Sequence, residues 1–152
     1  MNAITERPAL LNVALAALMI IMIVLSCVSY YPTEAGTYSI MGYIGMPSDY
    51  PELEAFFEEH VEDFSVNDVV GAPLWVVLIG ALACVVCIVW RDRAFSSLAA
   101  LAWSVGGLIG YLTSAYLPLG NAYYLHIAVL ALSLVLAALN LVGLKRDLSV
   151  AH

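Results

Sequence analysis

Residues 72–117 read APLWVVLIGALACVVCIVWRDRAFSSLAALAWSVGGLIGYLTSAYL, two long apolar runs, Ala72–Trp90 and Phe95–Leu117, parted only by Arg91, Asp92, Arg93 and Ala94. At ~1.5 Å per helical residue, each run is long enough to cross a hydrocarbon core of ~30 Å. So short a turn lays the two side by side in opposite directions. Two further runs of the same kind, Leu10–Tyr30 and Ala122–Leu144, stand on either side. Hydrophobic residues make up 63% of the 152, with a mean hydropathy of +0.94, against the ~45–50% usual for soluble domains. The expected fold is all-α: a single integral membrane domain forming an antiparallel four-transmembrane-helix bundle. The first run follows Arg7 and Pro8, exceeds the length of a signal h-region and lacks a small-residue cleavage site, so it is expected to be a retained helix. Val24, Leu25 and Ser26 ahead of Cys27 loosely resemble a lipoprotein processing box, but Leu25 is not a residue that box prefers.

Charge orients these runs. The five basic residues are Arg7 before the first run, Arg91 and Arg93 between the second and third, and Lys145 and Arg146 after the fourth. Residues 31–70 carry nine of the twelve acids and no Lys or Arg. Short loops rich in Lys and Arg stay cytoplasmic. The expectation is a bacterial-type plasma membrane, both termini cytoplasmic, a cytoplasmic turn at 91–94 and tail at 145–152, and an acidic extracytoplasmic segment at 31–70. Tyr30, Tyr31, Trp75, Tyr116, Tyr123 and Tyr124 then fall at the outer edge and Trp90 and Phe95 at the inner one, as interfacial aromatics do.

Inside lipid, polar and small side chains gain by facing another helix. His126, Ser133 and Asn140 recur every seven residues on the fourth run, with Ala137 on the same side, and form a candidate interior stripe. On the third run Ala99, Trp103, Gly106, Gly110 and Thr113 follow 3–4 spacing, and Gly106 and Gly110 form a G-x-x-x-G pair suited to helix packing. Pro73, Gly80, Cys84 and Cys87 align on the second run, and Asn12 and Ala16 on the first. Asn12 and Asn140 share a depth near the inner surface and are expected to hydrogen-bond to each other.

In the outer segment Leu53, Phe56, Phe57, His60, Val61 and Phe64 have the spacing of a helix with one apolar stripe, while Glu52, Glu54, Glu58, Glu59, Glu62 and Asp63 occupy most other positions. Pro51 suits a first helical turn. An extracytoplasmic amphipathic helix over residues 51–64 is expected, either lying over the bundle ends or docking a protein partner. Interfacial lipid-binding helices carry Lys and Arg on the polar face, and this one carries acids. The acids lack the ligand order of a calcium loop.

Cys84 and Cys87 form a C-x-x-C pair, the motif of small four-helix thiol oxidoreductases. Those enzymes place it near the outer surface, whereas this pair lies near the inner end, so packing is the expected role and redox the alternative. His126 is the one histidine inside an expected span, with His152 in the tail. It is read either as hydrogen-bonded to a tyrosine or a backbone carbonyl, or as half of a pH-responsive or metal-binding pair with His60. Hydrolase, metalloprotease, phosphate-loop and dinucleotide motifs are absent, no cofactor is implied, and a net charge of −7 without a basic patch excludes nucleic acid. The layout of one helix, a long outer segment and three helices resembles claudin-like tetraspan proteins. Their W-G-L-W run and paired loop cysteines are missing, so no family is assigned. Two function classes follow: a non-enzymatic accessory or interaction subunit using its acidic outer helix, and a small transport or thiol-redox component working through the bundle interior at His126 or at Cys84 and Cys87. The expected surroundings are lipid and a protein partner outside or within the membrane, with oligomerisation left open.

Overall fold

The computed structural model describes residues 3–28, 30–33, 36–39, 51, 55, 58–59, 71–90, 92–114 and 122–150. Among them are four helices that carry the long apolar runs: α1 (Ala3–Val28), α2 (Gly71–Trp90), α3 (Arg93–Thr113) and α4 (Tyr123–Val150). Each is long and apolar enough to cross a membrane, over Leu10–Val28, Gly71–Trp90, Arg93–Thr113 and Tyr123–Lys145. The chain is a multi-pass, predominantly helical membrane protein. Large apolar side chains such as Leu82, Val89, Leu139 and Val142 point outward, where hydrocarbon solvates them as well as a protein core would.

The boundaries differ from the sequence expectation where local chemistry intervenes. α3 starts at Arg93, two residues early, because Asp92 caps it: Asp92 has extended backbone (φ −77°, ψ 124°) and its carboxylate accepts the Phe95 N–H at 2.7 Å. Tyr30, assigned to the first helix, instead begins a strand. β1 (Tyr30–Thr33) pairs antiparallel with β2 (Gly36–Ser39), Tyr30 opposite Ser39 and Thr33 opposite Gly36. This hairpin is the departure from an all-helical chain among the described residues, and β2 touches α1. Aromatic and β-branched side chains suit the pleated backbone. α4 continues as helix past Leu144 to Val150, through most of the expected tail. Of the outer segment, Pro51, Ala55, Glu58 and Glu59 are helical and exposed.

α2 is wound unevenly. Five-residue π-helical stretches, Trp75–Ile79 and Val86–Trp90, flank an α-helical Gly80–Val85. Where π meets α, the Gly80 N–H is shared between the Val76 and Val77 carbonyls, and the Val76 carbonyl also accepts the Trp103 indole N–H of α3 at 3.1 Å. The Trp75 indole returns the contact, donating to the Trp103 carbonyl at 3.1 Å. Two indoles thus cross-link α2 and α3 through backbone groups, and a buried indole N–H in hydrocarbon needs such an acceptor.

Glycines on α3 permit this approach. A methyl at Gly110 would stand 2.7 Å from the Ala72 Cβ and 3.2 Å from its Cα, and one at Gly106 would overlap the Trp75 ring. The G-x-x-x-G pair therefore faces α2 of the same chain. α3 packs most extensively on α4, while α1 lies against α2 and α4. Leu15, Met19, Met22, Val76, Trp103, Tyr111 and Leu130 fill the centre with almost no exposure.

Candidate functional site

The candidate site is a seam of buried polar groups between α3 and α4, closed by α1. Three contacts set its register. Asn140 Nδ2 donates to Ser97 Oγ at 2.8 Å; a methyl on Gly107 would come within 2.9 Å of Leu130; and the Tyr111 and His126 rings meet edge to face, centroids 5.2 Å apart. Ser97, Ser104 and Tyr111 on α3 thereby stand level with Asn140, Ser133 and His126 on α4, and all six are buried. Seven-residue spacing returns a residue to nearly the same face of a helix, so both helices keep their polar groups on the shared side. α1 follows with Asn12, Met19 and Ser26, and α2 with Pro73, Gly80 and Cys87, again buried at seven-residue intervals.

At the Arg93 end the polar groups are tied together. Asn12 Nδ2 donates to Ser96 Oγ at 3.2 Å, Ser97 Oγ to the Arg93 carbonyl at 2.8 Å, and Arg93 Nε to Asn140 Oδ1. The guanidinium lies over Gly143, where a methyl would stand 2.6 Å from a terminal nitrogen. The expected Asn12–Asn140 bond is replaced: each amide donates to its own serine. Ser96 and Ser97 are adjacent on a helix, so their side chains diverge by about 100°, one reaching α1 and the other α4. Cys84 and Cys87 also part company. Both are buried free thiols, Cys84 pointing to the Ala16 carbonyl of α1 at 3.8 Å and Cys87 to the Ser96 carbonyl of α3 at 3.9 Å.

At the other end His126 donates to the Leu25 carbonyl of α1. Tyr123 Oη donates to the Tyr111 carbonyl at 3.1 Å, and the Tyr111 hydroxyl lies beside Ser26, whose own hydroxyl donates to the Met22 carbonyl at 2.9 Å. His126 therefore joins α1, α3 and α4. A backbone-carbonyl partner, one of the partners expected from the sequence, is thus present at His126.

The structure corrects one face. The sequence line Ala99, Trp103, Gly106, Gly110 and Thr113 was expected to be the interior side of α3, yet Thr113 is exposed and Ala99, Gly106 and Gly110 only half-buried. The deeper line is Ser96, Ser97, Ala100, Trp103, Ser104, Gly107 and Tyr111. The glycines admit α2, while the hydroxyls face α1 and α4. Sequence reasoning missed Ser96, Ser97, Ser104, Tyr111, Ser26 and Arg93, although Ser97, Ser104 and Tyr111 repeat the spacing already noted on α4. The candidate docking stripe of Leu53, Phe56, Phe57, His60, Val61 and Phe64 lies outside the described residues, and so does any pairing of His60 with His126. Among the described residues no three His, Cys, Asp or Glu side chains converge as metal ligands would. No family model, no curated protein and no solved structure matches the chain.

Proposed function

We propose that the chain is a non-enzymatic accessory subunit: an antiparallel four-helix bundle, termini on the cytoplasmic side, that holds an acidic extracytoplasmic helix ready for a protein partner. The observation that carries this is the placement of nine acids, with no Lys or Arg, in the 40 residues between the first two spans. Such a field attracts a basic surface and repels anionic headgroups. Pro51, Ala55, Glu58 and Glu59 support the helix, since all four are helical and exposed. On a helical wheel they fall opposite the Leu53, Phe56, Phe57, His60, Val61 and Phe64 stripe, leaving that stripe to meet the bundle or the partner. The antiparallel arrangement draws support from the pairing of Ser97 with Asn140 and of Tyr111 with Tyr123 and His126.

A second reading, transport or thiol-redox work through the interior, has the buried His126 in its favour. Against it stand the close-packed Leu15, Met19, Met22, Trp103 and Leu130 and the two thiols directed at different helices. The test is co-purification from gently solubilised membranes, comparing wild type with Phe56→Asp/Phe57→Asp. Loss of a stoichiometric partner from a variant that still folds supports docking. A variant that unfolds with no partner in the wild type moves the function to the interior.

A further inference from the structure

Ser104 and Ser133 are the anomaly of the seam. Both are fully buried, and neither hydroxyl has a hydrogen-bond partner. A serine within a helix ordinarily satisfies itself by donating to the carbonyl four residues back, as Ser26 does to Met22, Ser97 to Arg93 and Thr113 to Ile109. Ser104 and Ser133 forgo that bond, although a bare hydroxyl is most costly in a hydrocarbon-embedded core. They also stand level across the α3–α4 interface. Toward His126 their tier is closed by Leu130, which fills the space over Gly107. Toward Asn140 the next tier is Ala100 opposite Ala137, both buried. Among the described residues the other two unpartnered buried side-chain atoms, Asn12 Oδ1 and Tyr111 Oη, lie farther along the same seam, one toward each end.

We propose that Ser104 and Ser133 form a mid-membrane water-binding site, in which a water held between the two hydroxyls joins α3 to α4. A buried water needs two to four polar partners and a polar, roomy setting. The paired hydroxyls supply the first two, and their neighbours toward Asn140, Ala100 and Ala137, carry only methyl side chains. Trp103 does not compete for it, because its ring turns to α2, where it meets Gly80 and the Val76 carbonyl. The site is independent of the docking function and would persist if that function proved wrong.

The test is water-edited solid-state NMR on the isotope-labelled full-length chain in lipid bilayers, read at serine Cβ. Polarisation from water should reach Ser104 and Ser133 faster than it reaches Leu132, the outward-facing neighbour at the same depth. In Ser104→Ala the transfer to Ser133 should fall to the Leu132 level, because the shared water loses a partner. Transfer at neither serine in the wild type would overturn the site, and that measurement needs no variant. Transfer at Ser133 that survives Ser104→Ala would overturn the bridge.

Discussion

α3 presents two unlike faces, and their contrast explains the bundle. Toward α2 it fits by shape: Gly106 and Gly110 are absent side chains, Trp75 and Ala72 occupy the space, and the polar contacts are indole to backbone. Toward α1 and α4 it fits by hydrogen-bonding chemistry: Ser96 and Ser97 take amides from opposite sides, and Ser104 and Tyr111 continue the polar line. The first face should be sensitive to added volume, the second to removed polar atoms. Without a hydrophobic force between helices in lipid, close contact and polar bonds are the available sources of specificity.

The strongest way to break the contrast is at Trp103, which joins α3 to α2 through both its ring and its carbonyl. Trp103→Ala removes a fully buried ring and its bond to Val76, and is expected to cost about 3–5 kcal/mol in an SDS-titrated unfolding experiment. Gly110→Ala comes next, at about 1–3 kcal/mol by overpacking, because the added methyl meets Ala72 backbone as well as its Cβ. Gly106→Ala should be milder, since the clash is with a Trp75 ring that is 39% exposed and free to swing outward, losing its bond to Trp103. On the polar face, a double-mutant cycle between Asn140 and Ser97 should return a coupling of about 0.6–1.7 kcal/mol, the range of interhelical bonds in membrane bundles. The same cycle between Asn12 and Asn140 should return almost none, as each donates to a different serine. A large coupling there would mean that the two amides meet directly and that the serines do not separate them.

The four spans were legible because their determinants are local. Run length and apolar composition mark them, and the seven-residue recurrence of His126, Ser133 and Asn140 identifies the buried side of α4. The partner of each amide was not legible. Depth alone puts Asn12 and Asn140 together, but which group each meets depends on how α3 is rotated between them, and the 3–4 line of glycines pulled that rotation toward α2. The hairpin was hidden because Tyr30 closes an apolar run that reads continuously as helix, while Thr33, Thr37 and Tyr38, the β-favouring residues, follow it. The winding of α2 was not legible either: its first π stretch ends at Gly80, where the Trp103 ring comes within 2.8 Å of where a methyl would stand, and no residue pattern marks the second, Val86–Trp90.

In the proposed reading, both faces hold a bundle from which the acidic segment engages a partner. The most direct test is in-membrane photocross-linking with a photoreactive phenylalanine analogue at position 56, alongside the same probe at lipid-facing Leu139. The expected result is a discrete adduct to a second protein from position 56 alone, lost when Glu58, Glu59 and Glu62 are replaced by Gln. Adducts confined to the chain itself, or unchanged by removing the acids, would contradict docking through the acidic outer helix.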